Sequence, residues 1–318
     1  MTRLLVLLLC SLPLTAAPLR LLVVDKPANA LLIIDPVSHE VVTRVPVGTG
    51  PHEVAACKEG KLAVVSNYGN EVAGSTLSII DVASGKEVKR ASVAPLLRPH
   101  GLACSAKTLY FTSEASLAVG RFDLDELVFD QVVGTGQKLS HMVVFDPGRK
   151  ALYTANILSG SVTSLVPASG GARWEVTQIA VPPGPEGIDV SPDGAQVWVA
   201  HRPHGGISAI DAVSGKVTAN LPVETFAFRL RFTPDGRYAL ATEPEGNRLL
   251  VFDAKTRALV KAIAIDGNPV SVAVDHAGKH AYVAAASTGE VVVIDLATLA
   301  ITDRVSSGGH PDGMALAE

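Results

Sequence analysis

The chain has 318 residues and a formal net charge of −4, with 47% hydrophobic, 18% charged and only 5% aromatic residues. The mildly acidic balance and the lack of a Lys/Arg cluster exclude a phosphate-neutralising surface, so no nucleic-acid partner is expected. With so few aromatic residues the core falls to Val, Ala, Leu and Ile, and the length suits one large all-β domain.

The first predicted element is a targeting segment at residues 1–17. Arg3 supplies a positive start, LLVLLLCSLPL a short apolar stretch, and TAA at Thr15–Ala17 small residues for cleavage. The apolar run is too short to cross a bilayer, so no membrane span is expected in the mature protein, which is predicted to be secreted or periplasmic. Cys10 leaves with the segment, and Cys57 and Cys104 remain. They fall in neighbouring innermost strands, where side chains are commonly too far apart or misaligned for a bridge, so two free buried thiols are expected. No C-x-x-C-H motif for covalent haem occurs.

From residue 18 onward one unit repeats. Strands ending in hydrophobic–Asp recur as LLIID, LSIID, VGRFD, ISAID, LLVFD and VVVID, closing on Asp35, Asp81, Asp123, Asp211, Asp253 and Asp295. The fourth copy, SVTSLV, carries Val166 in that place, and the spacings run 46, 42, 43, 45, 42 and 42 residues. Each unit reads as four short strands separated by Gly, Pro, Asp and Ser clusters, with turns such as SPDG and TPDG. The aspartates are expected to cap Asx-type turns. Four strands per repeat of about 40–45 residues predicts an all-β, seven-bladed β-propeller over residues 18–318. Leu19–Asp35 aligns with the second and third strands of a repeat, so the mature chain opens on a second strand, and its last segment, HPDGMALAE, reads as a first strand. The C-terminal strand is therefore predicted to complete the N-terminal blade and close the ring.

The segments VWVAHR, LYTAN and AYVAAA look like variants of a YVTN tetrapeptide, preceded by GPEGIDVSPDG. On these segments the chain resembles the YncE-like, or YVTN-repeat, β-propellers over its whole mature length. That resemblance implies the fold and says little about activity, because propellers host many unrelated functions.

Aligned, the repeats place one residue of each at the entrance of its innermost strand: His52, His100, His141, Glu186, Phe228, Val270 and Asp312. In ring order Asp312, His52, His100, His141 and Glu186 follow one another without a break, and Phe228 and Val270 face them. All are expected at one channel mouth. Three imidazoles with nearby carboxylates suit a transition metal such as Zn, Cu or Fe, with His52, His100 and His141 as ligands and Glu186 and Asp312 beside them. Repeat position by itself also accounts for polar residues here. A second belt, at the end of the next strand outward, comprises Asp25, Asn67, Ser113, Asn156, His201, Glu243 and Ala285, with Arg202 and His204 in an adjoining loop. Its polar members are expected to contribute to ligand binding.

Other motifs are absent. GTGPHE and GTGQKL lack the third glycine of a nucleotide loop, and no G-x-S-x-G elbow occurs. The expected function is a binding protein that takes a small ligand, metal, peptide or partner protein at the channel mouth. Two alternatives stand beside it. One is a propeller enzyme, either a metal-dependent oxidoreductase or a lactonase-like hydrolase using His141, Glu186 and Arg229. The other is an interaction scaffold.

Overall fold

The computed structural model describes residues 18–169, 173–202 and 205–318. The expected targeting segment and His204 lie outside the described residues. Strands β1 to β28, numbered in chain order, form seven separate four-stranded antiparallel sheets arranged as a seven-bladed propeller. The innermost strands are β28 (Pro311–Ala317), β4 (Pro51–Cys57), β8 (Pro99–Cys104), β12 (Ser140–Asp146), β16 (Pro185–Val190), β20 (Leu230–Phe232) and β24 (Pro269–Val274). Ring closure is as expected: β28 pairs with β1 (Arg20–Asp25) through Leu21–Leu316 and Val23–Met314, so both chain ends share the first blade. No helix among the described residues is long and apolar enough to cross a membrane.

The hydrophobic residues form seven separate clusters, one between each pair of neighbouring blades. Alternation along β1 shows why. Leu22 and Val24 pack towards the second blade, while Leu21 and Val23 pack towards the seventh. A strand buried on both faces needs a continuous apolar run, which is why LLVV and LLII contain no polar alternation. The interfaces are unequal. Between the sixth and seventh blades 14 buried residues pack together, whereas between the third and fourth only five do: Ala103, Val119, Val143, Leu152 and Leu165.

The strand-ending aspartates cap their turns as expected: Asp35 Oδ1 accepts from the amides of Val37 and Ser38, and Asp211 Oδ1 from Ser214. The cysteines depart from expectation. Cys57 and Cys104 are joined in a disulfide, with Cα atoms 5.6 Å apart. The innermost strands of adjacent blades crowd around a narrow axis, and the two residues end β4 and β8 at the same level, inside the separation a bridge requires.

A feature of the innermost strands positions the site. In six blades the pairing with the second strand slips at the entrance residue, between Pro51 and Val54, Pro99 and Leu102, Ser140 and Val143, Pro185 and Ile188, Pro269 and Ser271, and opposite Val23–Asp25. Each slip is a β-bulge, which breaks alternation and re-aims side chains. Hydroxyls on the neighbouring strand take up amides the bulge releases: Ser66 Oγ accepts from Glu53 N at 3.1 Å, and Thr112 Oγ1 from Gly101 N at 2.8 Å. Because of the bulge, consecutive residues such as His52 and Glu53 both reach the axial cluster.

Candidate functional site at the channel mouth

The three entrance histidines lie side by side. The ring centroids of His52 and His100 are 4.9 Å apart, and those of His100 and His141 3.9 Å. His100 is 2% exposed, and its Nδ1 is buried without a hydrogen-bond partner. A buried unpaired imidazole nitrogen is costly unless something is built to use it.

His141 is held between two carboxylates. Its Nδ1 lies 2.5 Å from Glu114 Oε1, and its Nε2 2.7 Å from Glu186 Oε1, the latter as a charge contact out of hydrogen-bond alignment. Burial would lower the His141 pKa, but the Glu186 charge and the bonds to both carboxylates overcome it and raise it to about 9. Glu186 is correspondingly held down at about 2: burial raises it, and His141 with Arg229 and Arg202 more than offsets that. Beyond Glu186 stands Arg229, whose guanidinium lies 3.3 Å from Glu186 Oε1 and 2.5 Å from Glu53 Oε1 and stacks on Phe228. Glu114, His141, Glu186, Arg229 and Glu53 thus form one buried chain of alternating charge.

The rim is partly open. Lys26 Nζ donates to His52 Nε2 at 2.6 Å, and Asp312 Oδ2 lies 3.4 Å from His52 Nδ1. Burial, and then the nearby Lys26, lower the His52 pKa to about 3, so this imidazole is neutral. Burial and Glu53 raise the Asp312 pKa to about 6. The Tyr68 hydroxyl donates to Glu114 Oε2, Arg98 covers the Tyr68 ring at 4.7 Å, and Arg202 lies over Phe226 and Phe228. Arg229 and Glu53 also line a cavity of about 690 Å³ walled by residues of the innermost strands such as Val54, Val144, Ile188, Val272 and Met314.

The structure therefore brings His52, His100, His141, Glu186 and Asp312 together, with Phe228 alongside. It places the second belt elsewhere. Asp25, Asn67, Asn156, His201 and Glu243 are all at most 3% exposed and are engaged within their own blades. Asp25 pairs with Arg44, Asn67 donates to Thr76 and Ser78, and Asn156 donates to Ser161 and Thr163. His201 meets Ser208, and Glu243 pairs with Arg248. They also pack against the incoming loops: a Cβ on Gly48 would fall 2.3 Å from Asn67 Cγ, and one on Gly309 2.3 Å from Asp25 Oδ2.

Sequence reasoning missed Lys26, Tyr68 and Glu114. Each is the residue immediately after a second-belt member, Asp25, Asn67 and Ser113, and a shift of one reverses the face a strand residue presents. Arg202, which follows His201, obeys the same rule. A signal for Tyr68 existed in the 46-residue spacing of its repeat, which lengthens the hairpin NYGNEVAGST beyond the others.

Among the described residues, one group of His, Cys, Asp or Glu side chains has metal-ligand proximity: His100, Glu114 and His141, whose ligand atoms lie within 4.8 Å of one another. His52 is outside that group, so Glu114 takes the place expected for a third histidine.

No protein-family model matches the chain. Antigen Lp49 of Leptospira interrogans is 20% identical over 309 residues, covering 87% of this chain, which spans only 65% of that relative's length. Among solved structures, a putative 6-phosphogluconolactonase from Bacteroides uniformis superposes with a TM-score of 0.76 at 14% identity, covering 94% of this chain and 99% of that one. Hydrazine synthase of Kuenenia stuttgartiensis gives 0.68 at 18% identity, covering 85% and 91%. The dihydro-heme d1 dehydrogenase NirN, solved in complex with DHE, gives 0.66 at 17% identity, covering 95% and 76%. At such identities the likeness is one of fold, and the chain is a seven-bladed β-propeller like these proteins.

Proposed function

We propose that the chain is an exported binding protein of the YVTN-repeat type that holds a divalent transition metal at its channel mouth through His100, Glu114 and His141. The observation that carries this reading is the proximity of those three donors together with what stands behind them. Metal-ligating imidazoles usually have their second nitrogen fixed by a carboxylate, and ligating carboxylates are themselves hydrogen-bonded. Here Glu186, backed by Arg229, faces the second nitrogen of His141, and Tyr68 bonds the second oxygen of Glu114. His100 adds an imidazole whose Nδ1 is buried without a hydrogen-bond partner. Nitrogen and oxygen donors in this mixture suit Zn²⁺, Cu²⁺ or Fe²⁺.

Export is supported by the composition of residues 1–17 and by the Cys57–Cys104 bridge, since disulfides persist mainly in oxidising compartments. A lactonase-like reaction using His141, Glu186 and Arg229 has less support, because the three groups neutralise one another and none is left free to take a substrate proton.

The test is metal analysis after equilibrium dialysis of the mature protein against Zn²⁺ or Co²⁺. One ion per chain is expected, with a loss of affinity of about 100-fold or more in His100→Gln and in Glu114→Gln. The melting temperature of the metal-free variants should stay within about 3 °C of the parent, as expected where little stabilising energy is removed. Less than a tenth of an ion per chain, or full binding by both variants, contradicts the reading.

A further inference from the structure

Charge at the mouth says what else a metal-bearing site would need. Four cations, Lys26, Arg98, Arg202 and Arg229, and four carboxylates, Glu53, Glu114, Glu186 and Asp312, are in contact with the cluster. With neutral imidazoles acting as ligands, these charges cancel. A divalent ion at His100, Glu114 and His141 then leaves two positive charges uncompensated in a largely dry environment, where isolated charge is expensive. Three protein donors also leave at least one coordination position free.

The free side of the cluster is cationic. Neither Lys26 nor Arg98 is within ion-pair distance of a carboxylate among the described residues: Lys26 donates to the neutral His52, and Arg98 to the Asn70 carbonyl while it lies on Tyr68. Both side chains are only half-buried. Two other arginines of this face are matched, Arg44 with Asp25 and Arg248 with Glu243 and Glu224.

We propose that the mouth binds a small oxyanion-bearing molecule, a carboxylate or a phosphate monoester, whose anionic group enters between Lys26 and Arg98 and occupies the metal's open position. This rests on the metal reading above. Lys26 supplies a point charge, and Arg98, whose guanidinium lies over the Tyr68 ring, presents a planar fork suited to two oxygens.

The experiment uses protein loaded with Co²⁺, whose visible absorption reports a change of ligand, titrated separately with acetate and with methyl phosphate. Retention of cobalt is checked by desalting. At least one anion should shift the spectrum saturably, and Lys26→Met/Arg98→Met should need about tenfold more of it, the scale of a lost charge-assisted bond. Cobalt affinity in that double variant should stay within about threefold of the parent, because neither residue is a metal ligand. Cobalt binding with a spectrum unmoved by both anions, or a double variant that binds the anion as well as the parent, overturns the proposal. Failure to bind cobalt at all overturns the metal reading first, and this inference with it.

Discussion

The two belts of polar residues lie on neighbouring strands of each blade, the innermost and the next outward, yet they are built for opposite ends. In the second belt most donors and acceptors are matched inside their own blades, with Nδ1 of His201 left over. Asn156 is typical: its amide donates to Ser161 and Thr163, and its carbonyl accepts from Ser140 and Thr154. The mouth belt is matched between blades, and incompletely. Glu186 of the fifth blade serves His141 of the fourth and Arg229 of the sixth, while Nδ1 of His100 and Nε of Arg229 have no hydrogen-bond partner. A buried polar network that is satisfied locally fixes a fold, whereas one left short of partners at an opening marks a place for something else to bind.

The contrast can be broken most severely by removing the strand that carries Asp312 of the mouth belt and pairs with the strand carrying Asp25 of the second. Deleting residues after Gly309 takes away β28, and with it Asp312 and the backbone that pairs with β1. It also opens two blade interfaces, because Met314 packs towards the seventh blade and Ala317 towards the second. Insoluble protein, or loss of most of a stability on the order of 10 kcal/mol, is expected in thermal and urea unfolding. A truncated chain that melts within a degree or two of the parent contradicts ring closure.

Arg229→Met strikes between blades. It leaves Glu53 and Glu186 buried without their shared cation, at an expected cost of about 3–5 kcal/mol. Adding Glu53→Gln should recover part of that loss, and no recovery would mean that Arg229 acts through packing on Phe228 alone. Asn156→Leu strikes within a blade. Four partners lose their amide, at an expected cost of about 2–3 kcal/mol by urea unfolding, with metal affinity unchanged. A loss of metal binding without loss of stability would place Asn156 in the site and erase the distinction between the belts.

Much of this architecture was legible in the sequence because repetition amplifies weak signals. One hydrophobic–Asp strand is ambiguous, but six at near-equal spacing specify the blades, and HPDGMALAE specifies closure. The convergence of His52, His100 and His141 was legible for the same reason. What was hidden depends on local departures from ideal strands. The bulges that bring both His52 and Glu53 to the axial cluster leave no compositional mark beyond a hydroxyl, such as Ser66 or Thr112, on the facing strand. Lys26, Tyr68 and Glu114 come just beyond strand positions that point into the blades, so a face assignment carried over by alternation misses them. The disulfide was hidden because its feasibility turns on how tightly innermost strands crowd the axis, a distance that no spacing along the chain encodes.

The measurement that bears most directly on the central claim is X-ray absorption at the cobalt edge of the Co²⁺-loaded protein, compared with Glu114→Gln. Two imidazoles and one carboxylate oxygen are predicted at about 2.0–2.2 Å, the range for such donors, with the oxygen contribution reduced or the metal absent in the variant. A spectrum without imidazole scattering, or one identical in parent and variant, would contradict a metal centre built on His100, Glu114 and His141.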